Sequence, residues 1–299
     1  MTKVAKYQAG VALLWAITLL AGWRPLADTL ALSLRNDEYT YILLILPVSA
    51  ALIFLEWRSL RTMFVPGVRT GSVLVASALL IACSTFIWSA SLPSDVRLSI
   101  RMIALVVSWI GAFVLCFGSR ASRRVLFPLC FLFGLVPFPL LVLNQIIALL
   151  QIGSAWSAYL LFAVFGVPVT QDGVLLTIPT LTVQVAQECS SIRSSSMLLV
   201  TTMVLAQLLL VTPWRKALVI GLAVPLSIAK NGLRIFTIAM LGTRVDRGYL
   251  TGRFHHQGGI VFFAIALVVV FALLWILRRG EDSSLRLDRN LVKATATGD

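Results

Sequence analysis

Apolar runs near residues 10–26, 40–56, 72–92, 99–119, 124–144, 195–211, 216–240 and 258–278 dominate the chain. Each approaches the roughly 20 mostly apolar residues that a helix needs to cross a hydrocarbon core. One soluble core cannot bury so many runs of that length, whereas a bilayer accepts them all. In lipid the backbone must satisfy its own hydrogen bonds, and a helix does so within each segment. The expected fold is therefore an all-α polytopic membrane protein with about eight transmembrane helices. The charge content agrees: only 12% of the 299 residues are charged, about half the share usual for a soluble domain. The first run follows Lys3 and Lys6 with no small-residue cleavage site, so it reads as a first span and not as a cleaved signal.

The formal net charge is +13. In a membrane protein this excess belongs to the loops, where basic residues fix orientation and meet anionic headgroups, so no nucleic-acid partner is expected. With the N-terminus in the cytoplasm, 15 of the 25 Lys and Arg fall on the inner side and eight on the outer, with Lys230 and Arg234 inside a span. That bias predicts N-in and C-in in the plasma (inner) membrane. It puts residues 145–194 and 241–257 outside, although Ile146–Phe165 is also apolar enough to lie in or near the membrane.

The outer segment has its own pattern. Asp172-Gly173 is a turn signal, and residues 180–185 alternate polar and apolar. Together they predict a short β-hairpin at the membrane surface. The stretch QECSSIRSSS, residues 187–196, follows. Its serines suit a helix start, because their oxygens accept free N–H groups there. Residues 1–279 read as one integral-membrane domain, and residues 280–299 as a polar, disordered cytoplasmic tail.

Three places could carry chemistry. Cys83, Cys116 and Cys130 lie within apolar runs and read as small buried hydrophobes. Cys189 alone sits in a polar setting, with Glu188 and Arg193 close by. Helix N-termini and nearby cations favour the nucleophilic thiolate. In the seventh run, Lys230 and Arg234 are four apart on one helix face, with Asn231 between them. Cations at membrane depth are costly and mark functional cavities. Pro225 and Asn231-Gly232 suggest that this helix is kinked or broken. His255 and His256, the only histidines, precede the last run, and histidine is the usual base for a cysteine nucleophile. Each has a plainer reading: a filler thiol, snorkelling cations, an interfacial histidine pair. Yet the topology puts all three at the outer interface, and a thiol, a guanidinium and an imidazole suffice for acyl transfer. The alternative is a transporter or channel with a charged, broken seventh helix. It leaves the cysteine and the histidines without a role. No CxxC pair or other metal-binding pattern occurs, so neither a metal nor an organic cofactor is expected.

The segments ECSSIRSS, NGLRI and H-x-x-x-G-x-x-F-F resemble, in order, the three signatures of the exosortase/archaeosortase family, membrane-embedded sortase-like cysteine transpeptidases. The Pro-rich run at residues 127–141 is also similar to that family, and the resemblance covers about residues 125–275. It implies Cys189 as nucleophile, Arg234 as the essential arginine and His255 as the histidine, since His255 stands four before Gly259. His256 is the fallback. From their positions beside these groups, Asn231, His256, Glu188 and Arg193 are candidates for supporting roles. Ser191 departs from the pattern, standing where the family has glycine. The resemblance further implies exported protein substrates whose C-terminal tail carries a short motif, a transmembrane helix and a basic cluster. The tail would be cut outside the membrane and the new C-terminus passed to a lipid or glycan acceptor.

Overall fold

The computed structural model describes residues 10, 13, 16–20, 22–62, 65–88, 91–185, 192–246, 248 and 259–296, with side chains as far as Glu281. Among them are seven helices long and apolar enough to cross a membrane, and the first apolar run is described only in part. The chain packs as two compact units, Met1–Leu143 and Asn144–Asp299.

In the first unit the described residues 10, 13 and 16–20 are helical, and after them come α1 (Trp23–Arg35), a 3-10 turn (Asp37–Tyr39), α2 (Ile42–Leu55) and the short α3 (Trp57–Thr62). α4 (Val68–Ile87) and α5 (Ser94–Arg124) follow as membrane-length helices. They approach closely because Gly71 and Gly111 leave room: a Cβ on Gly111 would lie 2.9 Å from Val75. Close approach through small residues is the usual way for helices to pack in lipid. Gly118 has φ +79 within α5, and the Val65 carbonyl occupies the place of its missing side chain, so only glycine serves there.

The fifth apolar run does not form one span. It makes the short α6 (Leu126–Phe131), a 3-10 turn (Leu132–Leu135) and an extended segment at 136–139. Pro137 and Pro139 offer no N–H, so the helix cannot run through them. The carbonyls exposed by this break find donors within the unit. Ser99 Oγ donates to the Pro137 carbonyl at 2.7 Å, and the Tyr39 hydroxyl donates to that of Phe138 at 2.9 Å. The Leu140 N–H donates to the Asp95 carboxylate at 2.8 Å. The membrane-length helix comes afterwards, as α7 (Leu140–Val164). The segment between spans that was expected at 145–194 therefore shrinks to 165–191.

The second unit opens with the rest of α7 and a three-stranded antiparallel sheet: β1 (Thr170–Asp172), β2 (Leu175–Ile178) and β3 (Leu181–Gln184). The expected hairpin is thus one strand short of what forms. Gly173, at φ +58, makes the first turn, and Pro179-Thr180 the second. Leu176 and Ile178 of β2 pack on Ala155, Ala158 and Phe162 of α7. Among the described residues the unit continues with three long helices: α8 (Ile192–Leu209), α9 (Pro213–Arg244) and α10 (Gly259–Ala296). The backbone of the polar tail, expected to be disordered, continues α10 to Ala296.

α9 is one 32-residue helix with Pro225 inside it, so of the kink or break expected at Pro225 and Asn231-Gly232 the break is absent. Gly232 serves packing instead. A Cβ there would press on the Ser157 side chain and lie 2.9 Å from the Ala158 nitrogen, so glycine lets α7 and α9 touch. At the far end of the unit, the buried Glu281 carboxylate accepts the N–H groups of Val211 at 3.0 Å and Thr212 at 2.8 Å, just ahead of α9. Helix starts leave N–H groups unmet, and an acid there also suits the helix dipole. Glu281→Ala is expected to lower stability by about 1.5–3 kcal/mol, the usual worth of hydrogen bonds to a charged group. A thermal unfolding scan in detergent checks this, and an unchanged midpoint removes Glu281 from the account.

Candidate functional site

The charged face of α9 is the starting point. Ser227, Lys230, Asn231 and Arg234 recur at three and four residues and form one polar stripe along an otherwise apolar helix. Lys230 is 6% exposed and Asn231 1% exposed. Both therefore depend on partners, because an unpaired polar group without water is costly.

The partners come from two other helices of the same unit. Ser227 Oγ donates to Ser195 Oγ at 2.6 Å, and Lys230 Nζ donates to Ser194 Oγ, both acceptors lying in the first turn of α8. Asn231 Nδ2 donates to Ser154 Oγ of α7 at 2.9 Å. A layer of hydroxyl, ammonium and amide groups thus ties three helices together inside the apolar unit. Ser194 and Ser195 were expected to serve the start of their own helix, and instead they reach across to α9. Arg234 stands one turn beyond Lys230, half-buried, and Arg193 is exposed at the second position of α8.

The chain leading to the cysteine motif is anchored on its other side as well. The Val185 N–H donates to the Val174 carbonyl at 3.0 Å, and Gln151 Nε2 of α7 donates to the Val185 carbonyl at 3.1 Å. Val185 is buried at the base of the sheet. Phe162 is fully buried and meets Phe236 of α9 edge-on, with centroids 5.0 Å apart, so the sheet, α7 and α9 share one packed cluster. Beside it, a cavity of about 460 Å3 lies between the β2–β3 turn and the end of α9, lined by Thr180, Leu181, Thr243, Arg244 and Asp246.

Of the residues singled out from sequence, Lys230, Asn231, Arg234 and Arg193 fall within the described structure. Cys189, Glu188, His255 and His256 lie outside the described residues. Asn231 was read as a supporting site residue, and its position gives it a bridging bond from α9 to α7. Sequence reading passed over Ser154, Ser227 and Gln151. Ser227 could have been found by its spacing of three and seven from Lys230 and Arg234. Ser154 and Gln151 carried no such signal, because their partners are 77 and 34 residues away.

The transporter alternative rested on a broken seventh helix, and α9 is continuous. Among the described residues no group of three or more His, Cys, Asp or Glu could hold a metal ion. Comparison with known proteins finds a match between residues 32–272 and the family model described as transmembrane exosortase. No curated protein and no solved structure matches the chain.

Proposed function

The chain belongs to the transmembrane exosortase family, and from that premise we propose that Cys189, Arg234 and His255 form its catalytic site. Membership makes it an integral-membrane enzyme that processes sorting signals, a cysteine peptidase or transpeptidase acting on exported proteins with C-terminal sorting signals. The observation that carries the assignment is the polar layer. Ser194, five residues after Cys189, bonds to Lys230, four residues before Arg234. The helix that follows the cysteine motif is thereby tied to the turn preceding the arginine.

The chemistry follows from these groups. The Cys189 thiolate attacks the carbonyl carbon of the scissile peptide bond, and the carbonyl oxygen becomes an oxyanion. The Arg234 guanidinium donates hydrogen bonds to that charge. His255 holds the thiol proton and gives it to the departing amine, which leaves a thioester on Cys189. An acceptor nucleophile then attacks the thioester, His255 takes its proton, and the thiol is restored. A lipid or glycan acceptor gives transfer, and water gives hydrolysis. The end of the second unit that carries the sheet, Ser194 and Arg234 faces outward in this reading, with both termini in the cytoplasm. A substrate anchored by its own transmembrane helix then meets the thiol at a set height, which is a proximity effect.

The test is co-expression with a tail-bearing substrate, following the substrate's size. A positioned general base contributes roughly 10²–10⁴-fold, so His255→Ala is expected to lose processing by that order while His256→Ala keeps most of it. The reverse result would exchange the two histidines. Full processing by the double variant would remove histidine from the mechanism.

A further inference from the structure

The first unit carries an open cleft of about 520 Å3, within the size range of small-ligand sites. α1 supplies Asp28 and Leu32, one turn apart, the 3-10 turn supplies Glu38, and the first two turns of α5 supply Arg97 and Arg101. The cavity thus lies where two membrane-length segments, Asp37–Leu55 and Ser94–Arg124, begin. That is headgroup depth for a spanning helix. α1 carries exposed Trp23 and Leu34 and ends on Arg35, the composition of a helix lying at a membrane interface.

The charges in this cavity do not neutralise one another. The ion pair seen among the described residues, Arg124 with Glu56, lies elsewhere. Neither Asp28 nor Glu38 makes a hydrogen bond or ion pair among the described residues. Arg97 donates Nη2 to the Leu92 carbonyl at 2.9 Å, but its Nε is buried with no partner. Arg101 is held by the Thr85 hydroxyl at 3.4 Å and by the Phe86 ring at 5.6 Å. Three carboxylates and two guanidiniums therefore line one space; Asp95 already accepts the Leu140 N–H, while Asp28 and Glu38 stay open and a buried N–H of Arg97 faces no acceptor. Such an arrangement fits a ligand that carries both signs at once.

We propose that this cavity binds the headgroup of a phospholipid with a primary ammonium, its phosphodiester on Arg97 and Arg101 and its ammonium on Asp28 and Glu38. Phe138 and Leu140 line the cavity and are themselves exposed, which gives the acyl chains an apolar exit. A membrane lipid suits that exit better than a soluble headgroup does. The ammonium donates three N–H groups to the carboxylates, whereas a trimethylammonium donates none. Binding therefore discriminates phosphatidylethanolamine from phosphatidylcholine.

The experiment is native mass spectrometry of the full chain, purified in detergent and re-equilibrated with phosphatidylethanolamine, phosphatidylcholine or phosphatidylglycerol. One phosphatidylethanolamine is expected to be retained per chain, with about tenfold preference over phosphatidylcholine, the effect of one or two charge-assisted hydrogen bonds. Arg97→Gln should lower retention of both lipids by a similar factor. Glu38→Gln should erase the preference while retention of phosphatidylcholine stays the same. Should Arg97→Gln fail to accumulate, Glu38→Gln decides alone, since its carboxylate has no packing bond to lose. Equal retention of the three lipids, or an unchanged preference in Glu38→Gln, overturns the proposal. Displacement of the lipid by an equal concentration of soluble glycerophosphoethanolamine overturns the lipid source and leaves a soluble ligand in its place.

Discussion

Cys189→Ala is expected to leave a tail-bearing substrate at full length while the protein itself reaches the membrane in normal amount. Removing the nucleophile of a group that acts as a unit costs on the order of 10⁴–10⁶-fold in turnover, so cleaved product should fall below detection. Cys189→Ser should fail similarly, because a hydroxyl is a far weaker nucleophile than a thiolate without a base strong enough to activate it. The loss should not be a folding effect. The motif is held on one side by Val185, through Val174 and Gln151, and on the other by Ser194 and Ser195, through Lys230 and Ser227. None of these contacts involves the thiol. The measurement is the ratio of full-length to processed substrate against the amount of membrane protein. Processing by Cys189→Ala at the wild-type rate would falsify the cysteine mechanism and return the polar layer of α9 to a purely structural role.

The second large effect is at Arg234. Loss of one donor to a developing oxyanion costs about 10²–10³-fold, and Arg234→Ala should show it. Arg234→Lys keeps the charge but loses the planar fork that can hold two hydrogen bonds at once, so it should recover only part of the activity. Arg234 is half-buried one turn beyond Lys230, and its neighbours Lys230 and Asn231 have their own partners in Ser194 and Ser154. Three bonds made by other residues, Ser227 to Ser195, Lys230 to Ser194 and Asn231 to Ser154, join α9 to α8 and α7. Thermal unfolding of Arg234→Lys should match wild type. A variant that keeps its unfolding midpoint and loses turnover supports a direct part in the reaction. One that loses both in proportion, and regains both when stabilised by lipid, makes Arg234 a structural residue.

The polar stripe of α9 was partly legible from residue types alone. Lys230 and Arg234 stood out because charge inside an apolar run has few innocent explanations, and both belong to the polar stripe of α9. The Asp172-Gly173 turn and the alternation at 180–185 also appear where expected, as the β1–β2 turn and β3. Other features were misread for physical reasons. Pro225 and Asn231-Gly232 look like helix breakers in isolation. In α9 the proline is tolerated and Gly232 admits the backbone of α7. Ser194 and Ser195 look like capping residues because local hydrogen bonds are all that a sequence window can display. The run at 124–144 does not form one helix, because mean hydropathy counts apolar side chains and ignores the N–H groups that Pro137 and Pro139 lack, and a membrane-length helix follows it at Leu140–Val164.

The sequence by itself determined the class of this protein and its approximate number of spans, and it supplied the residues proposed to carry acyl transfer. These follow from side-chain chemistry and from the length needed to cross a bilayer, both local properties of the chain. Only the tertiary structure decided which polar groups answer one another. The bonds of Ser154 to Asn231, Ser194 to Lys230 and Ser227 to Ser195 join residues 32 to 77 positions apart. The unpaired charges of the first unit likewise meet only after α1 and α5 pack. In an apolar surrounding a buried polar group must find its partner wherever the fold supplies one, and that place is set by how the helices pack rather than by the order of residues along any one of them.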